Sequence, residues 1–351
     1  MDRRRFLQRA AAAPAAALAT LSLPAFSQAL PASAADPAAR AVSIEAWRQR
    51  LQGMLDKGRL PIIDMEATYV AGTTNIPQIM AWMDETDIAQ IAFAPAFSPD
   101  SEPSLELHRQ YPGYFIPTTS SGEFPRWWNN PDAFVSKVAG DLKTGRYHTM
   151  GEYEFRHYPS PEQVEARNFA RDITVPLDGP AGQALFQLSE DTGTAFQIHY
   201  EIEDTLLPVL EGMLARYPKA QVIWCHLGMV RYPERAKTYN PAYVASLITR
   251  FPGLHFDLAV PRPENIYRPS GARDSTLFQG GRLGSEWQAL LEKFPERFVA
   301  ASDYRPPVES MYRTAMGRQR NLILAPLSEA ARHKIAYGNA WRLVTGKNWG
   351  A

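Results

Sequence analysis

Residues 221–228 read Gln-Val-Ile-Trp-Cys-His-Leu-Gly. An apolar run ends in His226, and Gly228 follows two positions later. This is the pattern of a buried strand that delivers one polar side chain at its open end. The pattern recurs upstream at Ala195-Phe196-Gln197-Ile198-His199 and downstream at Phe298-Val299-Ala300-Ala301-Ser302-Asp303. Three apolar strands, each ending on a metal-ligand or proton-transfer residue, imply one pocket assembled from separate strand ends.

Outward from these three, further strands are expected at Leu60–Glu66, Ile88–Ala94, Tyr114–Thr119, Tyr147–Met150 and Leu254–Leu258. The fourth of the eight leads straight into Gly151-Glu152. Segments with apolar residues at helical spacing lie between them, among them Pro131–Leu142, Ala181–Asp191, Leu206–Tyr217 and Tyr243–Phe251. Eight strands alternating with helices predict an α/β protein, a (β/α)8 TIM barrel. An open doubly wound sheet would want a glycine-rich phosphate turn after the first strand, and none is present. Two long polar segments, His157–Asp178 and Ala259–Gly284, are expected to be loops.

The N-terminus reads differently. Asp2-Arg3-Arg4-Arg5-Phe6-Leu7 is basic, an alanine-rich run follows, and Ala32-Ser33-Ala34 offers a small-x-small cleavage site. The segment resembles a twin-arginine export signal. It implies that residues 1–34 are removed, that the export machinery is a partner, and that the folded chain becomes periplasmic or otherwise extracytoplasmic. Residues 35–59 then form a helical lead-in to a barrel over 60–351. The 351 residues are 45% apolar and 21% charged, with 37 basic and 37 acidic side chains. Removing the signal takes away four arginines and one aspartate and leaves a net charge of −3. Such a balance points away from nucleic acid and from anionic membrane, and the strand-end pocket is expected to take a small-molecule partner. It is compatible with a homo-oligomer. Cys225 is the single cysteine, so the chain has no intrachain disulfide and no cysteine-based zinc cluster; it reads as a small core residue.

In a barrel, active-site side chains come from the carboxyl ends of strands. Here those ends carry Asp64 and Glu66, Glu152, His199, His226, Asp257 and Asp303. Imidazole and carboxylate together are ligands for zinc or manganese. His199 and His226 are 27 positions apart, about one βα unit, which places them on adjacent strands. Asp257 reads as a residue that orients a histidine.

The chain resembles the amidohydrolase superfamily, in its amidohydrolase-related branch. The resemblance rests on Ile198-His199, Trp224-Cys225-His226-Leu227-Gly228, Phe256-Asp257-Leu258, Ala301-Ser302-Asp303 and Tyr337-Gly338-Asn339-Ala340-Trp341-Arg342-Leu343. It implies a (β/α)8 barrel, a hydrolase with one divalent metal, zinc before manganese, and a related decarboxylase activity as the alternative. The family usually ends strand one with Asp-x-His-x-His. This chain has Asp64-Met65-Glu66-Ala67-Thr68 and no lysine at the end of strand four.

Three arrangements follow from that departure. Glu152, His199 and His226 hold the metal with Asp303 as the base. Alternatively Glu66, His199 and Asp303 hold it, and His226 is the acid/base, as in the decarboxylases. In the third the site is metal-free, and the histidines polarise a carbonyl directly. A barrel that binds a ligand without catalysis is a further alternative, motivated by Thr68. Arg126 and Trp127 after strand three, Arg156 and His157 after strand four, Tyr200 after strand five, Arg231 after strand six and Arg305 after strand eight are expected to contact substrate. Arginines and aromatic rings of this kind suit a ring that bears a carboxylate or phosphate.

Overall fold

The computed structural model describes residues 37–124 and 126–350. The proposed export signal therefore lies outside the described residues. Eight parallel strands run through the chain: β1 (Ile62–Tyr69), β2 (Ile88–Pro95), β3 (Phe115–Pro117), β4 (Met150–His157), β5 (Phe196–Tyr200), β6 (Val222–Trp224), β7 (Leu254–Asp257) and β8 (Phe298–Val299). Parallel ladders join β1 to β2 to β3, and β4 through β5, β6 and β7 to β8. Two short seams close the ring. Thr118 bridges Thr149, with the His148 amide donating to Pro117 O at 2.9 Å. Ala67 bridges Tyr304, with the Thr68 amide donating to Tyr304 O at 2.8 Å and Met65 to Ala300 O at 3.0 Å. The fold is a (β/α)8 barrel.

Helices cover the outside. Most begin where the sequence places a proline in the first turn, as at Pro131, Pro180 and Pro241, where the missing N–H costs nothing. Asn75 and Asn240 cap their helices through side-chain oxygens. Helix α1 (Pro37–Leu55) packs at the amino-terminal ends of β2 and β3. Its Trp47 is fully buried and donates from Nε1 to Phe115 O, and its Arg50 donates from Nε to Ala89 O. No helix of the described residues is long and apolar enough to cross a membrane.

The two long loops carry small structures of their own. In the segment after β4, Ile173–Thr174 folds back antiparallel onto Arg156 and His157. In the segment after β7, Ile266–Tyr267 pairs with Ala272–Arg273, and Phe278–Gln279 with Arg282–Leu283.

Strand β4 runs five residues beyond Glu152, the acid on which the sequence reading ended it. Glu154, Arg156 and His157 therefore lie in the strand and not in a loop. The reading stopped at the first polar residue, but the upper part of a barrel interior is polar. Buried Tyr153 and Phe155 pack outward against Trp127, which gives the strand its apolar face.

Candidate functional site

The site gathers at the carboxyl ends of the strands. Gly151 has φ +87°, and the ladder to β5 shifts register between Met150 and Tyr153. A Cβ at Gly151 would lie 2.8 Å from Gln197 O, so only glycine lets the two backbones approach. The bulge turns Glu152 toward β5. His226 and Asp303, at the ends of β6 and β8, hold φ +65° and +51°. A left-handed backbone costs a non-glycine residue about 1–3 kcal/mol, and such strain concentrates at functional sites.

Three ligand-type atoms face one another. His199 Nδ1 lies 2.8 Å from Glu152 Oε1, His226 Nε2 lies 3.3 Å from the same oxygen, and the two nitrogens are 3.1 Å apart. A tetrahedral ion with bonds of about 2.0–2.1 Å keeps its ligand atoms about 3.3 Å apart. Each histidine has its other nitrogen engaged. His226 Nδ1 donates to Ala259 O at 2.9 Å, and His199 Nε2 donates to Glu201 Oε1 at 3.2 Å. Metal-binding histidines are held in this way, because the outer hydrogen bond fixes the tautomer and leaves a lone pair facing inward. The buried Glu152, His199 and His226 group fits a divalent metal.

Electrostatics follow the same geometry. Burial opposes charge on His226, but Glu152, Asp303 and Asp257 around it outweigh burial and push its pKa up to about 10. Burial likewise works to raise Glu152, and the hydrogen bonds from His199 and His226 win, holding it well below the carboxylate range. Burial first, then repulsion from Asp257 and Glu152, pushes Glu66 well up. Asp64 rises to about 7 through burial, against hydrogen bonds from Ser302 and the Glu66 amide. Asp257 accepts from the His226 amide at 2.7 Å and so sets the strained turn that aims the histidine.

Glu66, His199 and Asp303 form no metal-sized cluster among the described residues, whereas Glu66 groups with Glu152 and Cys225 and with His226 and Asp257. Asp303 is exposed at the mouth, with its amide donating to Glu66 O at 3.1 Å. Its charge acts on His226 and on Arg305.

A cavity of ≈ 320 Å³ is lined by Arg126, Arg171 and Arg305 together with Glu123, Phe97 and Phe124. Arg305 donates to Glu123 at 2.6 Å and lies 4.0 Å from Glu152, which links the cavity to the cluster. Arg126 stacks over Phe124 and Trp128 at 5.4 and 5.5 Å. His157 is buried with its ring 4.5 Å from that of His199; burial chiefly, then the His199 and Arg171 charges, push its pKa well down.

Four expected substrate contacts point elsewhere. Trp127 is 2% exposed and packs on Tyr153 and Phe155. Tyr200 alternates with inward-facing His199 and so faces the helices, its hydroxyl near Leu206 O. Arg156 is turned outward by a second register shift after Glu154 and pairs with Asp172 and Glu203. Arg231 binds Glu201 at 2.6 Å and Tyr158 O at 3.1 Å, supporting the carboxylate that holds His199.

Arg171 is the residue that sequence reasoning missed. It donates to Glu123 at 2.9 Å, to Glu154, and to His157 Nε2 at 3.3 Å. It sits in an aperiodic loop, and nothing local marks it.

Comparison with known proteins agrees with this architecture. The amidohydrolase family model (Amidohydro_2) matches residues 137–345. A candidate 2-pyrone-4,6-dicarboxylic acid hydrolase from Pseudomonas putida has a similar structure, with TM-score 0.52 at 14% identity over 82% of this chain and 98% of that one. A 2,6-dihydroxybenzoate decarboxylase from Rhizobium gives TM-score 0.48 at 13% identity, over 81% of this chain and 98% of that one. No curated protein sequence matches the chain. At 14% identity the first of these likenesses speaks for the fold alone, and the family rests on the match over residues 137–345. With its closed barrel and its His/Glu cluster at the strand ends, the chain belongs to the amidohydrolase family, as an enzyme of that superfamily.

Proposed function

We propose that this enzyme is a metal-dependent hydrolase acting on an ester, lactone or amide bond of a small carboxylated molecule. The observation that carries the reading is the convergence of Glu152 Oε1, His199 Nδ1 and His226 Nε2 within 2.8–3.3 Å. Zinc suits a ligand set of two imidazoles and one carboxylate. A divalent metal held there would polarise a carbonyl and ease deprotonation of water.

The chain's own residues supply the rest. Glu201 and Ala259 O fix the two imidazoles. Asp303 stands at the mouth as the base that takes the proton of the attacking water and returns it to the leaving group. Arg305 and Arg126 line the cavity and suit a substrate carboxylate.

The test is turnover on a panel of carboxylated esters, lactones and amides, with decarboxylation of aromatic acids in parallel. Hydrolysis that falls about 10²- to 10⁴-fold in Asp303→Asn supports the reading. Decarboxylation without any hydrolysis contradicts it. We also propose, from Arg3-Arg4-Arg5-Phe6-Leu7, that the folded chain is exported by the twin-arginine route.

A further inference from the structure

The amino-terminal end of the barrel, opposite the His/Glu cluster, holds a cavity of its own. Its volume is ≈ 440 Å³, against ≈ 320 Å³ for the one at the other end. It lies where α1 ends and the chain enters β1. Arg59, Arg320 and Arg332 line it, with Asn321 and His333 as further polar groups and Glu329 as the acid among its described residues. Leu60, on its wall, is six residues from Glu66 along the chain that becomes β1, ~20 Å at the rise of an extended strand. The two sites are therefore separate.

The three guanidiniums are held differently. Arg59 reaches Asp87 at 2.7 Å, but its Nε is buried and has no hydrogen-bond partner. Arg320 is half-buried, and its Nη2 donates to Leu60 O at 3.0 Å, Thr86 O at 2.8 Å and Asp87 O at 3.5 Å. These carbonyls anchor the side chain across the starts of β1 and β2 without cancelling its charge. Burial chiefly lowers its pKa, with Asp87 acting against that. Among the described residues, no carboxylate lies within ion-pair distance of Arg320 or Arg332. With Asp87 set against Arg59, two guanidiniums stand against the exposed Glu329. A cation drawn out of water with no anion beside it is costly. The planar guanidinium fork matches the oxygens of phosphate and carboxylate.

The chain is locally unusual here as well. Gln319–Leu324 and Lys334–Gly338 wind as π-helical turns; Arg320 and Asn321 lie in the first, and His333 directly precedes the second. Such turns are rare and occur frequently at functional sites. Both are tied to the barrel. The Gln319 side chain donates to Leu258 O, and the Ala300 amide donates to Ile335 O at 3.2 Å.

We propose that this cavity binds a small anionic molecule, with its phosphate or carboxylate oxygens held by Arg320 and Arg332 and with Arg59 completing the positive wall. Its volume falls in the range of ~300–1,000 Å³ common to small-molecule sites. The site uses none of the residues assigned to hydrolysis and no metal, so it stands or falls independently of that reading.

The test is calorimetric titration of full-length protein with inorganic phosphate and with succinate, at constant ionic strength so that screening of the exposed charges is the same throughout. One of these probes is expected to bind saturably, and the tighter of the two identifies the recognised group as phosphoryl or carboxylate. Arg332→Gln removes a side chain that anchors nothing in the fold. It should weaken this binding about 10- to 100-fold, the range for losing a hydrogen bond to a charged group. Arg320→Gln should weaken it too, with circular dichroism checking the fold because its carbonyl partners are lost. Arg126→Gln, at the other cavity, should leave it unchanged. Binding at wild-type strength in Arg332→Gln, or binding abolished by Arg126→Gln, overturns the site. Wild-type protein that takes up neither probe overturns it as well.

Discussion

Glu201 Oε1 stands 3.2 Å from His199 Nε2 and receives Arg231 Nη1 at 2.6 Å. The His199 ring is thus held from behind by a carboxylate that is itself held by a guanidinium. Burial alone would raise the Glu201 pKa. Arg231 first, and then His199, overcome that and bring it to about 2, so the acceptor is always ionised near neutral pH. Glu201→Gln keeps the size of the side chain and removes the charge. It is expected to weaken metal binding about 10- to 100-fold, the usual cost of losing such an outer partner. Competition with a chromogenic chelator measures this. Unchanged affinity would mean that Glu201 only packs.

Gly151→Ala probes the bulge that aims Glu152. The new Cβ meets Gln197 O at 2.8 Å and Tyr153 N at 3.0 Å, on a backbone at φ +87°. The variant is expected to lose about 1–3 kcal/mol of stability. Its metal affinity should fall as well, because Glu152 is re-aimed. Thermal unfolding and chelator competition read the two effects separately. A variant equal to wild type in both would show that the strand tolerates another path.

Acid should destabilise the fold through His148. This buried ring donates from Nδ1 to Val344 O at 3.0 Å and meets the edge of Trp47. Burial chiefly, and then the Arg40 charge, lower its pKa to about 3 from 6.5. Between those values the unfolded chain binds a proton that the folded one refuses. Stability then falls with falling pH at about 1.4 kcal/mol per unit, and the group adds no slope above pH ~6.5. The check is ΔG of unfolding from pH 7 to pH 4 for wild type and His148→Gln. The variant should show a slope smaller by one proton, and equal slopes would count against it.

Export is tested by the arginine pair. Arg3→Lys with Arg4→Lys keeps the charge of the signal-like segment and breaks its motif. The expected outcome is precursor retained in the cytoplasm, whereas wild type is found outside it. Equal export of both forms would refute the twin-arginine route.

Much of this architecture was legible because barrel strands are buried on both faces and appear as apolar runs. Val222–Trp224 and Phe196–Tyr200 were readable for that reason, and so were the histidines beyond their apolar residues. Strand parity was also available in principle. Once His199 faces inward, Tyr200 must face the helices, and the sequence reading did not apply that rule. The two register shifts in β4 were not legible. They depend on how closely Gly151 approaches Gln197, which is a property of two strands and not of one. Arg171 was hidden for a similar reason, since its partners Glu123 and Glu154 come from separate βα units.

The central claim is that Glu152, His199 and His226 hold a metal. Zinc bound by purified protein, counted by elemental analysis and titrated against a competing chelator, tests it most directly. The account predicts a tightly held equivalent in wild type that is absent from His199→Ala and from Glu152→Gln, with both variants folded by circular dichroism. A folded His199→Ala protein that keeps the wild-type zinc content and affinity would contradict it.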